Sequence, residues 1–289
     1  MKMKVAVIGA DGQLGSDLVK VFQEKGEEVS PLLHSDIEVS DYHSCEKALK
    51  EKAPELVINT SAFHRVDDCE KEPIKAFEVN TRGAFNVARV CRDINARCVF
   101  ISTDYVFSGT KDRTYLEEDA PDPVNIYGAS KAAGEIWVRA FSSENLIIRT
   151  SGLFGEKVSK KGWNFVDKMI NLAREKRTLK VVDDQFVSPT FTAHLAEKIY
   201  ELVTANVSGI FHITSSGFCS WYEFTKKILD LAGIECELSA VSSKEFKTPA
   251  RRPGFCVLEN SGLKKKGFSP LPGWEEALKE YLQRQGHLK

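Results

Sequence analysis

From Val5 to Ile148, short runs of apolar β-formers alternate with stretches of helical periodicity, and this rhythm restricts the fold more than any other feature. Val5–Ile8 is followed by Leu14–Gln23, where Leu14, Leu18, Val21 and Phe22 share one helix face. Val29–Leu33 reads as a strand, and Ser44–Lys52 as a helix that stops near Pro54. The same alternation continues through Leu56–Ile58, a long helical pattern from Ile74 to Ile94, Cys98–Ser102, the helix Lys131–Phe141 and Leu146–Ile148. Strands that are apolar on both faces must be covered on both faces. The pattern therefore predicts an α/β chain with a Rossmann-like, doubly wound parallel sheet.

The rhythm breaks after Arg149. Gly152 to Trp163 is rich in Gly, Lys and Ser. Asn164–Glu175 reads as a helix and Lys180–Val182 as a strand, and Ser188-Pro189-Thr190 starts a helix running to Val203. Gly209–Ile213 returns to a buried-strand pattern. The expected division is a cofactor domain made of residues 1–151 and 188–214, with a smaller, discontinuous substrate domain from 152–187 and 215–289.

Composition narrows the partners. Forty Lys+Arg against 41 Asp+Glu leave a net charge of −1, which argues against a broad nucleic-acid-binding face. No stretch approaches the ~20 apolar residues of a membrane span. The run before Gly9 is too short for a signal-peptide core. Seven cysteines, with no C-x-x-C, read as reduced thiols. The six histidines form no H-E-x-x-H, so no metal site is expected. A cytoplasmic protein, with neither nucleic acid nor membrane as partner, is the expectation.

Gly9, Gly12 and Gly15 fall directly between the first strand and the first helix, in Gly9-Ala10-Asp11-Gly12-Gln13-Leu14-Gly15. Glycines at this spacing allow a tight turn, close approach of backbone to a pyrophosphate, and close helix–strand packing. The helix N-terminus adds free N–H groups and partial positive charge. Dinucleotide binding follows from that placement. The second strand ends Pro31-Leu32-Leu33-His34-Ser35, with neither a carboxylate for a ribose 2′-hydroxyl nor an arginine for a 2′-phosphate. NADPH and NADH both stay open. Glu38 and Val39, one loop further on, are candidates for the adenine edge.

Tyr127 and Lys131 form Y-x-x-x-K and share one helix face. A nearby ammonium is expected to lower the phenol pKa, so that tyrosine passes a proton to a substrate oxygen. Tyr222 and Lys226 repeat the spacing. Tyr127, however, opens a helix that follows strand Cys98–Ser102, near the glycine loop, whereas Tyr222 lies in the C-terminal module. Thr103, at the end of that strand, is the expected hydroxyl donor to the developing oxyanion. Ser102 should point to the other face.

These residues resemble the extended short-chain dehydrogenase/reductase family, and within it the dTDP-4-dehydrorhamnose reductase subgroup. The likeness spans nearly the whole chain. It rests on Gly12-Gln13-Leu14-Gly15, Val57-Ile58-Asn59-Thr60-Ser61-Ala62, Ser102-Thr103-Asp104-Tyr105-Val106-Phe107, Tyr127-Gly128, Ser188-Pro189-Thr190 and Ala250-Arg251-Arg252-Pro253. The resemblance implies NADPH- or NADH-dependent reduction of the 4-keto group of a nucleotide-linked 6-deoxysugar. It implies cofactor contacts at Gly12, Gln13, Leu14, Glu38, Val39, Thr60, Ser61, Ala62, Asn80 and Lys131, with Asn80 steadying the active-site backbone or water. Thr103 and Asp104 would meet the sugar, Tyr127 would be the acid, and Arg251 or Arg252 would grip the diphosphate. A homodimer is a further expectation. The family commonly carries Trp where Gly152 stands, Lys at Asp68, Gly at Val187 and Ser at Cys256. These departures keep open another nucleotide-sugar reductase or epimerase; a second alternative is a non-catalytic regulatory subunit resembling that of methionine adenosyltransferase, a relative the family includes.

Overall fold

The structure, a computed structural model, describes residues 2–157, 162 and 164–288. The stretch from Gly152 to Trp163 therefore lies partly outside the described residues. In chain order the first half comprises β1 (Lys4–Ile8), α1 (Gln13–Glu24), β2 (Glu28–Leu32), α2 (Tyr42–Lys52), β3 (Leu56–Asn59), α3 (Val66–Lys71), α4 (Pro73–Phe77), a π turn (Glu78–Arg82), α5 (Gly83–Asp93), β4 (Arg97–Thr103), α6 (Ile126–Phe141) and β5 (Leu146–Thr150). The second half adds β6 (Leu153–Phe154), α7 (Phe165–Glu175), β7 (Thr178–Val182), β8 (Phe186–Val187), β9 (Thr190–Phe191), α8 (Thr192–Thr204), β10 (Gly209–His212), β11 (Cys219–Ser220), α9 (Trp221–Ala232), β12 (Glu237–Val241), α10 (Ser261–Lys265) and α11 (Trp274–Arg284).

The central sheet has six strands in the order β10-β5-β4-β3-β1-β2, and every pairing is parallel. This is the doubly wound arrangement expected from the alternation. On one face Val5, Val7, Ile58, Val99 and Ile148 pack under Leu14, Leu18, Phe22, Leu195 and Ile199 of α1 and α8. On the other, Ala6, Ile8, Val57 and Phe100 pack against Leu49, Val87, Cys91 and Val138 of α2, α5 and α6. The order reverses between β1 and β3, and ligands of such sheets bind where it does, at the carboxyl ends of the strands.

A separate cluster joins Phe154, Val166, Ile170, Phe224, Ile228, Leu278 and Tyr281. It builds the second lobe from α7, α9 and α11. Leu263 and Leu271 nevertheless pack into the main core, so the C-terminal segment stitches the lobes together. None of the seven cysteines forms a disulfide among the described residues.

Two elements depart from the sequence reading. Ser188–Thr190 does not open a helix. Thr190–Phe191 pairs with β6 as a short strand, and α8 begins at Thr192. The long helix from Ile74 is broken by the π turn at Glu78–Arg82. Such a turn inserts one extra residue and often marks a functional site; here the turn holds Asn80, whose side chain is buried.

Candidate active site

Two clefts open at the carboxyl edge of the sheet. The first, about 610 Å³, is bordered by Gly9, Gly12, Gln13, Leu14 and Gly15, by Glu38 and Val39, by Thr60, Ser61 and Ala62, and by Thr103, Tyr127 and Lys131. The second, about 810 Å³, lies between the lobes and is bordered by Asp67, Asp68, Phe165, Lys168, Val187, Trp221, Phe246 and Arg252. Gln13, Thr103, Asp104 and Tyr127 border both. Thus Thr103 and Tyr127 stand where a ligand in one cleft would meet a ligand in the other.

The first cleft has the build of a dinucleotide cradle. Gly9 takes φ +78°, and a Cβ there would lie 2.7 Å from Thr60 Oγ1. A Cβ on Gly15 would sit 2.1 Å from the Gly9 carbonyl oxygen, so only glycine lets α1 approach the loop this closely. Gly12 is the N-cap of α1 and offers no side-chain cap, which leaves the first helical N–H groups for an anion. Gln13 Nε2 is buried and finds no hydrogen-bond partner among the described residues. The Thr60 hydroxyl donates to the Ile8 carbonyl at 2.7 Å, tying β3 to β1 beneath the loop. Glu38 turns back on its own loop, its Oε1 accepting from Ser40 N and Oγ at 3.0 and 2.8 Å.

Asn80 does not border the cleft. Its Oδ1 accepts from Phe63 N at 2.8 Å, and its Nδ2 donates to the Phe63 carbonyl and to Ser130 Oγ at 3.1 and 2.9 Å. It braces the loop after β3 against α6.

Asn125 caps α6, its Oδ1 accepting from Gly128 N at 2.8 Å, and so fixes the turn that carries Tyr127. A Cβ on Gly128 would lie 1.9 Å from the Tyr105 carbonyl oxygen, so α6 lies directly on the turn after β4. Burial pushes the Tyr127 pKa up, and the Thr103 side chain opposes the rise. Lys131 is buried over the Phe100 ring, 4.0 Å from its centroid. Burial lowers its pKa to about 7, with the Glu135 carboxylate opposing. The expected depression of Tyr127 by Lys131 is therefore absent: desolvation governs both groups. Tyr127 is a neutral phenol, the form an acid needs.

Asp104 is buried as well. Its Oδ1 accepts from Thr103 Oγ1 at 2.9 Å and its Oδ2 from Ser151 Oγ at 2.7 Å. Ser102 faces the opposite way, donating to Glu135. Arg252 reaches the second cleft and pairs with Asp67 at 2.8 Å. Arg251 borders neither cleft, and its carbonyl accepts from Asn125 Nδ2 at 2.9 Å. Tyr222 and Lys226 lie on α9, away from both clefts.

Residues 3–286 match the family described as RmlD substrate binding domain. The chain belongs to the RmlD family, that of the dTDP-4-dehydrorhamnose reductases. It is 40% identical over 282 residues to the spore coat polysaccharide biosynthesis protein SpsK of Bacillus subtilis, covering 98% of each chain. It is 36% identical to a dTDP-4-keto-6-deoxy-D-glucose reductase of Streptomyces niveus, covering 94% of each. The solved dTDP-4-dehydrorhamnose reductase of Bacillus anthracis, in complex with NADP, superimposes with a TM-score of 0.94 at 37% identity, covering 98% of this chain and 100% of that one.

Gly152 of this RmlD-family chain borders both clefts. Gly152 takes φ +54°, and a Cβ on it would lie 2.6 Å from Val187 Cγ2. Val187 fills the space that a side chain at 152 would need. The rings of Tyr105, Tyr127, Phe165, Trp221 and Phe246 border the second cleft.

Proposed function

We propose that the chain reduces the 4-keto group of a nucleotide-linked 6-deoxysugar, converting dTDP-4-dehydrorhamnose to dTDP-rhamnose with NADPH or NADH. The single observation that carries this is the placement of Tyr127 and Thr103 on the border shared by the two clefts. The cofactor, when bound, supplies a hydride to the ketone carbon. Gly9, Gly12, Gln13, Leu14 and Gly15 bind its pyrophosphate through backbone N–H groups and the α1 N-terminus. Glu38, Val39, Thr60, Ser61 and Ala62 line its adenosine half, and Lys131 holds the nicotinamide ribose. Tyr127 donates a proton to the ketone oxygen, and Thr103 steadies charge there. Arg252 takes the diphosphate, for which a guanidinium fork is shaped. The cofactor domain is residues 1–151 with 188–214, and the remainder closes over the sugar nucleotide. The protein works in the cytoplasm.

Purified protein with NADPH should consume the cofactor with dTDP-4-dehydrorhamnose. A panel with other keto sugars tests the assignment. Epimer formed without cofactor loss would overturn reduction, and no turnover at all would favour the regulatory alternative.

A homodimer belongs to the same reading. Ile74, Phe77 and Trp137 border an exposed apolar groove, and Ile136 lies beside it, 59% exposed. Glu78 and Arg82 flank that groove one helical turn apart, so a two-fold copy would set the glutamate of one chain against the arginine of the other. Sedimentation equilibrium should give twice the chain mass of 32.3 kDa; a Trp137→Glu variant should give the single mass. A wild-type monomer at micromolar concentration would overturn the dimer.

A further inference from the structure

We propose that the Thr150 hydroxyl anchors the carboxamide of the nicotinamide ring, and so fixes how that ring lies against the sugar cleft. This deepens the reading above and rests on one part of it, that the first cleft takes NADPH or NADH.

Thr150 is the last residue of β5 and pairs with Thr103, the last residue of β4. Two residues earlier, Ile101 and Ile148 belong to the core under α1 and α8. Side chains alternate along a strand, so Thr103 and Thr150 lie side by side on that face. The intervening Ser102 and Arg149 turn the other way, both to Glu135 of α6. Thr150 is 4% exposed, and its Oγ1 is buried with no hydrogen-bond partner among the described residues.

The neighbouring hydroxyls are already engaged. Thr103 Oγ1 and Ser151 Oγ donate to Asp104 at 2.9 and 2.7 Å. Thr60 donates to the Ile8 carbonyl at 2.7 Å, and Ser61 to Asn59 Oδ1 at 2.6 Å. A buried hydroxyl without a partner is costly and calls for one from outside the chain. Threonine has more than one staggered χ1 well, so the hydroxyl can turn to a ligand without a backbone shift.

The cleft that Thr150 borders says which ligand. Thr150 borders the first cleft and not the second, whereas its neighbour Thr103 borders both. It therefore stands on the cofactor side, next to the shared border. Gln13 Nε2 also lacks a partner, but Gln13 borders both clefts and does not tell one ligand from the other. The part of the cofactor that belongs beside the shared border is the nicotinamide, because its ring must meet the ketone. The carboxamide on that ring is neutral and carries both a donor and an acceptor. A hydroxyl, itself donor and acceptor, matches it. The phosphates are charged and are provided for at the N-terminus of α1, and the ribose falls to Lys131. The carboxamide sits beside the ring carbon that gives up the hydride. Holding it fixes the turn of the ring about its bond to ribose, and with it the face shown to the ketone.

Thr150→Val removes the hydroxyl and keeps the branched shape. Fluorescence titration with NADPH, in the absence of sugar, should give a Kd raised about 3- to 10-fold, and Thr150→Ser should restore it. Calorimetric titration with 2′-phospho-ADP-ribose, which is the cofactor without its nicotinamide, should give the same Kd for wild type and Thr150→Val. (NADH and ADP-ribose serve as the pair where NADH binds tighter.) Without ligand, Thr150→Val should unfold at the wild-type urea midpoint or above it, because the free chain loses no bond. Should the valine variant not fold, Thr150→Ala is titrated with the same two ligands. The anchor is overturned by an NADPH Kd within about twofold of the wild type, by an equal loss of affinity for 2′-phospho-ADP-ribose, or by a lowered midpoint in Thr150→Val, which would give the hydroxyl to the fold. None of these titrations uses a keto sugar. A chain that binds NADPH and reduces no keto sugar overturns the reductase reading while the titrations still decide the anchor; a chain that binds neither NADPH nor NADH overturns both.

Discussion

Replacing Tyr127 with phenylalanine lowers kcat for keto-sugar reduction by roughly 10²–10⁴-fold, with the Kd for NADPH unchanged. The ring is retained, so its edge contact with Tyr105, at 6.0 Å between centroids, survives. What is lost is the phenolic proton that stands with Thr103 at the shared border of the clefts. Fluorescence titration with NADPH and stopped-flow loss of its absorbance separate binding from chemistry. The Gly9–Gly15 cradle, proposed above to bind the cofactor, is not touched by the substitution. A kcat within about tenfold of the wild type would remove Tyr127 from the acid role.

The parts of the site that could be read from sequence are those fixed by spacing along one element. Gly9, Gly12 and Gly15 serve a single strand–helix junction, and Tyr127 and Lys131 lie one turn apart on one helix, so local order carries their meaning. The second Y-x-x-x-K was set aside by its position after the wrong elements, and the structure keeps Tyr222 out of both clefts. What was hidden depends on contacts between distant segments. Which of Arg251 and Arg252 reaches the second cleft depends on α3, where Asp67 accepts from Arg252 and also from Ala250 N at 3.1 Å. Asn80 reaches Phe63 only because a π turn rotates it inward, and an asparagine on a helix carries no signal of that. The balance between Tyr127 and Lys131 is hidden for a related reason. Spacing reports proximity, whereas burial depends on what Phe100, Thr103 and the second lobe place around the pair.

Glutamate 135 carries the largest expected effect on stability, and it too was invisible in the sequence. Replacing Glu135 with alanine should destabilise the chain by about 3–5 kcal/mol, read as a lower urea midpoint at constant slope. Glu135 and Arg149 are both nearly fully buried. Arg149 Nε and Nη2 donate to the two carboxylate oxygens at 2.9 and 2.7 Å, a two-pronged pair. The guanidinium also lies over the Phe107 ring, 5.0 Å from its centroid. Removing the carboxylate alone strands that charge where water cannot reach it. Glu135→Gln with Arg149→Met removes both charges and should recover most of the loss. A single Glu135→Ala variant that loses less than about 1 kcal/mol would show that the pair is already solvated in the native state. The consequence for function follows from where the pair sits. Ser102 on β4 donates to Glu135, Arg149 lies on β5, and Glu135 lies one turn beyond Lys131 on α6. One buried carboxylate thus holds together the strand that ends in Thr103 and the helix that carries Tyr127 and Lys131. Its charge also opposes the desolvation of Lys131. The charge-free double variant should therefore fold well and still bind NADPH more weakly near neutral pH, because Lys131 then loses its proton at lower pH.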